Sequence, residues 1–302
     1  MIETRSDEAP SQQGAVLVAG CGAVGSSLAS LLSAQGFEVW GLRRSIEHLP
    51  PHVRGWRADL GDAKTLQNPP AKFRTLFYTA AADSRAVDAY NRAYIEGVQN
   101  LRNAIGLDGH LHRAFFSSST SVYAQDDGSN IDERSETEPE SIYGRIMLDA
   151  ETRFRATFTN ATVVRFSGIY GPGRWRLIQN ALEGRESESR FTNRIHVHDC
   201  ANVFAHLSSQ PYEHDTYLAS DLDPAPMTEV VQFLRSELNK NGAIPVLSPT
   251  TPRPEEPRRG KRCQSTRLTD SGFRFRYPSY REGYPSIVKE FVQSVATTSA
   301  RL

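Results

Sequence analysis

The feature that most constrains the fold is a glycine-rich turn near the amino end of the chain. An apolar segment, residues 15–19, runs directly into Gly20, Gly22 and Gly25, which have the spacing G-x-G-x-x-G. In such a turn the first glycine permits a sharp change of direction, the second lets backbone N–H groups approach a pyrophosphate, and the third lets a helix pack against the strand. The turn therefore predicts a cradle for a dinucleotide.

The residues after the turn complete the strand–helix–strand unit that this motif requires. Leucines recur at helical spacing, Gly36 is placed to end the helix, and residues 37–42 are predicted to form the next strand. The amino end of the helix, at Ala23 and Val24, would then face the phosphates with its dipole and its unpaired amides.

Two arginines follow the predicted second strand, where a site that prefers NAD usually has an acidic residue for the ribose 2′-hydroxyl. Residues 41–44 are Gly-Leu-Arg-Arg, so no carboxylate is present and both Arg43 and Arg44 carry a positive charge. This arrangement suits a 2′-phosphate, and we predict NADP as the cofactor. Alternatively, both arginines are solvated surface residues, which leaves NAD as the second candidate.

Two further predicted strands end in residues suited to the same crevice. The third strand ends at Asp59 and Leu60, and the fourth runs into Ala80 and Ala81. Strand ends of this kind line the cofactor crevice of a doubly wound sheet. The predicted fold class is therefore α/β, with a Rossmann doubly wound parallel sheet and a smaller C-terminal substrate lobe.

The same pattern predicts the domain boundaries. The NADP-binding domain covers residues 15–173, with residues 194–208 returning to it. The substrate lobe takes residues 174–193 and 209–302. Residues 1–14 are polar and acidic and are predicted to form a disordered tail.

Beyond the first domain the alternation of strands and helices is less regular. Residues 194–197 are predicted to form one more core strand, and residues 243–247 a short edge strand. Residues 124–140 and 249–262 are predicted loops. The basic run in the second loop is either a solvated face or a grip for an anionic substrate.

Composition excludes several classes of function. The chain has 302 residues, with 35 basic and 35 acidic side chains and no net formal charge. This balance argues against a general binder of nucleic acid or of membrane surfaces, and no apolar run reaches the roughly 18 residues of a membrane span. Cys21, Cys200 and Cys263 are odd in number and far apart, which predicts neither a disulfide framework nor a zinc knuckle and fits a reducing cytoplasm.

Seven motifs occur in order along nearly the whole chain. They are AGCGAVG, the strand end Asp59-Leu60, SSSTSVY, a tyrosine 24 residues after Ser119, VVRFSGIYGPGR, RIHVHD and LTDSGFRFRYPSYREGY. With these motifs the chain resembles the extended short-chain dehydrogenase/reductase family, in the branch of epimerases and dehydratases, and the likeness is closest to the YeeZ-like atypical members.

The resemblance implies a catalytic serine and tyrosine, which correspond to Ser119 and Tyr143. The family lysine, four residues after the tyrosine, falls on Met147, and the upstream asparagine falls on Tyr94. Half of the usual tetrad is therefore replaced. A tyrosine is a poor proton donor and acceptor near neutral pH unless a cation favours its ionised form, so we expect cofactor binding to survive better than turnover.

Other site residues also come from the resemblance. Phe166 and Ser167 are expected on the nicotinamide side of the cofactor. The candidates for substrate contact are Ser119, Thr120, Arg174 and Arg262.

The histidines of RIHVHD raise the question of a metal. On a strand, His196 and His198 would place both imidazoles on one side, as a metal site requires. The alternative, which the family likeness favours, is a structural strand-to-helix junction in which Asp199 caps the helix. The sequence therefore predicts no metal.

Two hypotheses about function follow. The first is an NADP-dependent oxidoreductase or epimerase, and the resemblance implies a small-molecule substrate, a sugar or nucleotide-linked sugar. The resemblance also disfavours dehydration, because dehydratases of this family carry Thr-Asp-Glu before Val-Tyr, where this chain has Ser119, Thr120 and Ser121. The second is an NADP-binding sensor or partner-binding protein with little catalysis. The family likeness also implies a homodimer formed through the helices at residues 85–105 and 142–158.

Overall fold

The computed structural model describes residues 14–106, 109–185, 187–243 and 259–299. The predicted tail, apart from Gly14, lies outside the described residues. The same holds for the predicted strand at 243–247, apart from Ala243, and for residues 249–258 of the predicted basic loop.

Strands and helices alternate through most of the described chain. The strands are β1 (Ala15–Ala19), β2 (Val39–Arg43), β3 (Arg54–Arg57), β4 (Phe73–Tyr78), β5 (Arg113–Ser119), β6 (Asp127–Ile131), β7 (Ala161–Phe166), β8 (Gly168–Tyr170), β9 (Arg190–Thr192), β10 (Arg194–His196), β11 (Thr216–Ala219), β12 (Ala225–Pro226) and β13 (Arg259–Cys263). The helices are α1 (Ala23–Ala34), α2 (Val87–Asn91), α3 (Gly97–Ile105), α4 (Ile142–Thr157), α5 (Arg176–Leu182), α6 (Val197–Ser209), α7 (Met227–Lys240), α8 (Thr266–Asp270) and α9 (Tyr280–Ser299). A π-helical turn, Arg92–Glu96, joins α2 to α3.

Seven strands form the main sheet, in the order β11-β7-β5-β4-β1-β2-β3. The pairs β1–β2, β2–β3, β1–β4 and β4–β5 are parallel. The chain winds outward from β1 through β2 to β3 and then in the opposite direction from β4 through β5 to β7. This reversal opens a crevice at the carboxyl ends of β1 and β4, where doubly wound sheets bind ligands. The predicted α/β Rossmann sheet is confirmed.

Buried aromatic rings fix the two central strands that carry candidate site residues at their ends. Phe77 of β4 and Phe115 of β5 are stacked with ring centroids 4.9 Å apart, and Phe204 of α6 meets Phe77 edge-on at 5.6 Å. Burial of a phenylalanine side chain contributes about 1.5–3 kcal/mol. The packing therefore fixes the positions of β4 and β5, and so of their ends, relative to α6.

The chain forms two compact units. The first comprises Met1–Val122, Glu138–Val164 and Ala201–Thr216. The second comprises Tyr123–Thr137, Arg165–Cys200 and Tyr217–Leu302. Within the second unit, α5, α7 and α9 enclose a core of their own that includes Ile178, Leu234 and Val288.

Three local predictions differ from the structure. The predicted loop 124–140 contains β6, and the predicted loop 249–262 runs into β13, because these two segments pair with each other across more than 130 residues. Neither segment has the apolar alternation that marks a strand in the sequence. The predicted core strand at 194–197 ends at His196, where α6 begins, and pairs with β8 in a separate two-stranded sheet.

Candidate active site

The first glycine of the turn is required by both its backbone and its surroundings. Gly20 has φ +98°, a left-handed conformation that side chains rarely adopt. A Cβ atom on Gly20 would also lie 2.4 Å from the backbone nitrogen and Cα of Ala80. The end of β1 can therefore approach the end of β4 only with glycine at this position, and this contact places Ala80 and the exposed Ala81 at the edge of the crevice.

The third glycine packs the helix against the turn. A Cβ atom on Gly25 would lie 2.4 Å from the Gly20 carbonyl oxygen and 2.6 Å from the Thr79 hydroxyl. That hydroxyl donates a 2.9 Å hydrogen bond to the Gly20 carbonyl. The amino end of α1, with Ala23 and Val24, is thereby held directly over the end of β1.

The second glycine differs from the other two, because neither its backbone conformation nor a close contact with the described residues requires glycine there. Gly22 has φ −79°, and a Cβ atom on it would have no atom of the described residues within 4 Å. Gly22 is also the N-cap residue of α1, and no side chain caps this helix. Open space therefore lies beside uncapped helix amides, an arrangement that fits a pyrophosphate.

Arg43, the last residue of β2, and Arg44, which follows it, both lie at this crevice edge. One Arg43 nitrogen donates to the Cys21 carbonyl in the glycine turn at 2.9 Å and to the His48 carbonyl at 3.3 Å. Arg44 forms a two-pronged ion pair with Asp83, at 2.8 and 2.7 Å. No local pattern in the sequence links Asp83 to Arg44, because Asp83 lies 39 residues further along the chain and only the sheet order brings the two together.

Asp59 and Leu60 follow β3 in a tight turn. The Asp59 carboxylate accepts a 2.9 Å hydrogen bond from the Gly61 amide, and Leu60 is buried. The Asp59 carboxylate therefore stabilises its own turn.

The predicted catalytic serine and tyrosine lie on adjacent elements of the first unit. Ser119 ends β5, and its hydroxyl oxygen accepts a 3.1 Å hydrogen bond from the Ser121 amide in the turn that contains Thr120. Tyr143 lies in the first turn of α4. A Cβ atom on Gly144 would lie 2.5 Å from the Ser121 carbonyl, so glycine lets the start of α4 approach the turn after β5.

The Tyr143 hydroxyl is bound to the backbone. It donates a 2.5 Å hydrogen bond to the Arg85 carbonyl, and the Tyr143 ring lies 4.8 Å from that of Tyr90. Tyr90 in turn lies 5.4 Å from Tyr94 in the π-helical turn. Tyr90 is not among the site residues predicted from the sequence, although it is four residues before Tyr94 and helical spacing would put the two on one face.

The two positions that depart from the family pattern are both buried and uncharged. Met147 is 4% exposed on α4. Burial raises the pKa of the Tyr94 hydroxyl, which also has a hydrogen bond with the Ala82 backbone. Arg145 is directed elsewhere, since its guanidinium donates to the carbonyls of Pro139 and Glu140.

The second unit contains a cavity of about 830 Å³. Its walls include Tyr170, Arg174, Trp175, Arg194 and Tyr284. Arg174 is exposed, whereas Arg194 is buried and donates to the Thr192 hydroxyl at 2.6 Å. The volume and the apolar walls with a few polar groups are typical of small-molecule sites.

The other predicted residues of the second unit occupy different places. Arg262 does not line this cavity; its Nε donates to the Gly128 carbonyl at 2.7 Å. Phe166 ends β7 and is buried. The hydroxyl of the next residue, Ser167, is buried and has no hydrogen-bond partner in the described part of the chain.

The two histidines of the RIHVHD motif lie on different elements. His196 ends β10, whereas His198 lies in α6, so the two do not alternate along one strand. The prediction that Asp199 caps a helix is wrong, because it lies inside the first turn of α6 and accepts hydrogen bonds from the Arg276 and Tyr277 amides at 2.8 and 2.9 Å. Among the described residues, no group of three or more His, Cys, Asp or Glu side chains is arranged to hold a metal ion.

None of the helices in the described ranges combines the length and apolar character that a membrane span requires.

Comparison with known proteins agrees with this architecture. Residues 16–217 match the model of the NAD-dependent epimerase/dehydratase family. A solved structure from Methylobacillus flagellatus, assigned as an NAD-dependent epimerase/dehydratase, is 32% identical and has a TM-score of 0.78, with 92% of this chain and 99% of that chain covered. No curated protein sequence matches the chain.

Two further structures are similar. MoeE5 in complex with UDP-glucose and NAD is 25% identical, with a TM-score of 0.72 and coverage of 93% of this chain and 100% of its own. A UDP-glucose 4-epimerase, 18% identical, has a TM-score of 0.73 over 93% of this chain and 98% of its own, and shows the shared fold alone. These comparisons do not distinguish a YeeZ-like branch, which stays a prediction. Because the family match covers more than half of the chain, this protein belongs to the NAD-dependent epimerase/dehydratase family.

Proposed function

We propose that this protein is a nicotinamide-dinucleotide-dependent oxidoreductase or epimerase that prefers NADP and acts on a sugar or nucleotide-linked sugar. The first unit binds the dinucleotide and the second binds the substrate. The observation that carries the proposal is Gly22, where an added Cβ atom would have no atom within 4 Å in the part of the chain that the structure describes. A glycine that the fold does not need, at an uncapped helix end, fits a ligand phosphate.

The chain offers groups for each part of the dinucleotide. The pyrophosphate would lie against Gly22 and the first amides of α1, and Asp59 and Leu60 would lie beside the adenosine. Phe166 and Ser167 would approach the nicotinamide, where the unpartnered Ser167 hydroxyl fits a polar carboxamide. When bound, the nicotinamide supplies hydride transfer.

Preference for NADP rests on Arg43 and Arg44. No carboxylate stands at the end of β2 to accept from a ribose 2′-hydroxyl, and Arg43 is fixed beside the glycine turn through its bond to the Cys21 carbonyl. A guanidinium matches a phosphate well because it can donate two parallel hydrogen bonds.

Tyr143 is the proposed general acid/base, and Ser119 the hydrogen-bond donor to the substrate oxygen. For this role the Tyr143 hydroxyl must exchange the Arg85 carbonyl for the substrate. With Met147 in place of lysine, the described residues of α4 supply no cation on the Tyr143 face, so proton transfer by Tyr143 is expected to be slow.

The cavity of the second unit supports the proposed substrate class. Arg174 is suited to an anionic group such as the phosphate of a nucleotide sugar, and Trp175 and Tyr284 offer aromatic faces. Ser119 and Thr120 remain candidates for contact with the sugar, and Arg262 is a weaker candidate because its guanidinium is engaged with the Gly128 carbonyl. MoeE5, one of the similar structures, holds UDP-glucose together with NAD.

A Met147→Lys variant tests the proposed chemistry. We expect wild type to bind NADPH but to turn over slowly on a panel of sugars, nucleotide sugars and carbonyl compounds, and Met147→Lys to be faster per folded molecule. The matched control is Met147→Lys with Tyr143→Phe, which should lose the gain. Calorimetry that detects no dinucleotide binding by folded wild type would overturn the proposal.

A second function is favoured by the hydrogen bond between Tyr143 and Arg85. A tyrosine held by the backbone, with no lysine beside it, suits an NADP-binding sensor or partner-binding protein with little catalysis. Rapid turnover by wild type would exclude this second function, because its chemistry would then not depend on the family lysine.

We also propose a homodimer formed through α2, α3 and α4. Val87 on α2 and Ile142 on α4 are exposed apolar residues, 39% and 42% accessible, which supports burial in an interface. Sedimentation at micromolar concentration would detect the dimer, and a monomer alone would contradict it.

The predicted cytoplasmic location is supported by the three cysteines, all of which are free and buried.

A further inference from the structure

The proposed ligand of the 2′-phosphate, Arg44, already has an anionic partner within the protein. Both terminal nitrogens of its guanidinium donate to the Asp83 carboxylate, at 2.8 and 2.7 Å. This is the two-pronged geometry that a guanidinium uses for phosphate as well as for carboxylate. A phosphate and Asp83 therefore compete for the same pair of donors.

Asp83 bears a full negative charge at neutral pH. Its hydrogen bonds and attraction to Arg44 lower the pKa of the carboxyl group, and the positive charge of Arg92 lowers it further. A 2′-phosphate that approaches Arg44 would meet this charge at close range. This repulsion weakens the binding of NADP only, because NAD has no phosphate at this position.

The pair can open at modest cost. Both side chains are exposed, Arg44 to 60% and Asp83 to 66%, and exposed ion pairs contribute only about 0.2–1 kcal/mol. Arg92 offers Asp83 a second cation, and its side chain lies against Gly61, beside Asp59. Exchange of the Arg44 partner therefore needs no change in the sheet.

We propose that Asp83 is a specificity-determining residue: an internal carboxylate that competes with the 2′-phosphate for Arg44 and so limits the preference for NADP over NAD. This inference rests on the proposed dinucleotide site. It gives the ion pair a role in choosing the cofactor rather than in holding the fold together.

Calorimetric titration of NADP⁺ and NAD⁺ tests the proposal on the full chain. Asp83→Asn should tighten NADP⁺ binding by about threefold to tenfold, the order expected for releasing one exposed ion pair together with a nearby like charge, and leave NAD⁺ binding within about twofold. The gain should shrink as salt is added, because salt screens exposed charges. In an Arg44→Gln background the effect of Asp83→Asn should disappear.

Asp88→Asn is the matched control, since Asp88 is an exposed aspartate on α2 and its loss changes the net charge equally. An Asp83→Asn protein with an unchanged ratio of NADP⁺ to NAD⁺ affinity would overturn the inference while leaving the proposed function intact, and so would an equal gain from Asp88→Asn. If folded wild type and Asp83→Asn bind neither nucleotide, the proposed function fails and this inference fails with it.

Discussion

The Ser118 hydroxyl donates a 2.5 Å hydrogen bond to the Glu151 carboxylate, and both residues are buried. Ser118 precedes Ser119 at the end of β5, and Glu151 lies two turns after Tyr143 on α4. The bond therefore joins the strand that carries the proposed serine to the helix that carries the proposed tyrosine. Its spacing of 33 residues is set by the packing of α4 on the sheet.

This buried bond predicts a coupled loss of stability. Glu151→Ala leaves the Ser118 hydroxyl without this acceptor, which costs about 1–3 kcal/mol for a buried polar group. Ser118→Ala should also destabilise the fold. Because the residues are in contact, the double variant should lose less free energy of unfolding than the two single losses added together. Urea denaturation measures all three, and strict additivity would show that the bond contributes nothing.

Alanine substitutions at the three glycines of the turn should separate effects on folding stability from effects on dinucleotide binding. Gly22→Ala should fold with a free energy of unfolding within about 0.5 kcal/mol of wild type, since its Cβ meets no atom, yet bind dinucleotide at least about tenfold more weakly.

Gly20→Ala and Gly25→Ala are the contrasting variants. Both should unfold at lower urea concentration, because their Cβ atoms would lie 2.4 Å from backbone atoms. Urea denaturation and calorimetry on each variant make the comparison. Gly22→Ala with wild-type affinity would place the pyrophosphate elsewhere.

Asp221 predicts a loss of stability as the pH rises. Burial raises its pKa to about 8, opposed by attraction to Arg194 and reinforced by repulsion from Asp223 and Asp199. In the unfolded chain an aspartate ionises near pH 4, so between about pH 4 and 8 the unfolded state loses a proton that the folded state keeps. Stability due to this group is therefore present at low pH and is lost through that window, by about 3–5 kcal/mol.

Asp221→Asn tests this dependence because an amide does not titrate. Urea denaturation at pH 5 and pH 8 should show that the variant gains on wild type as the pH rises. An equal difference between variant and wild type at both values would mean that the carboxyl group is already ionised in the fold.

His196 predicts that the free energy of unfolding falls as the pH is lowered, whereas Asp221 predicts that it falls as the pH is raised. Burial lowers its pKa to about 4, with the charges of His198 and Arg276 acting in the same direction. Its ring lies 4.0 Å from that of Tyr277, and Nδ1 accepts a 3.1 Å hydrogen bond from the His198 amide. As the pH falls from about 6.5 to 4, the unfolded state takes up a proton first and stability drops, by about 2–3 kcal/mol.

His196→Asn should remove this acid-side slope while keeping an acceptor for the amide. The measurement is the difference in free energy of unfolding between variant and wild type at pH 7 and pH 4.5. A difference that does not change between these two values would contradict the neutral, buried state of the His196 ring.

The sequence by itself determined the first half of the fold and the glycine cradle, because these depend on local relations. Glycine spacing, apolar runs and helical periodicity within about 30 residues specify a strand–turn–helix–strand unit. The same local signals placed Ser119 at the end of a strand and Tyr143 in the first turn of a helix, and the family resemblance identified Met147 as the position where the lysine is replaced.

The tertiary structure alone decided which distant groups meet. The partners Arg44 and Asp83 are 39 residues apart, and Tyr143 and Arg85 are 58 residues apart. The paired strands β6 and β13 are separated by more than 130 residues, from Asp127 to Gly260. Polar contacts of this kind leave no periodic pattern in the sequence, because each depends on the order of strands in the sheet. That order follows from packing of the whole chain, and it is what brings the charges and hydroxyls of the proposed site to their partners.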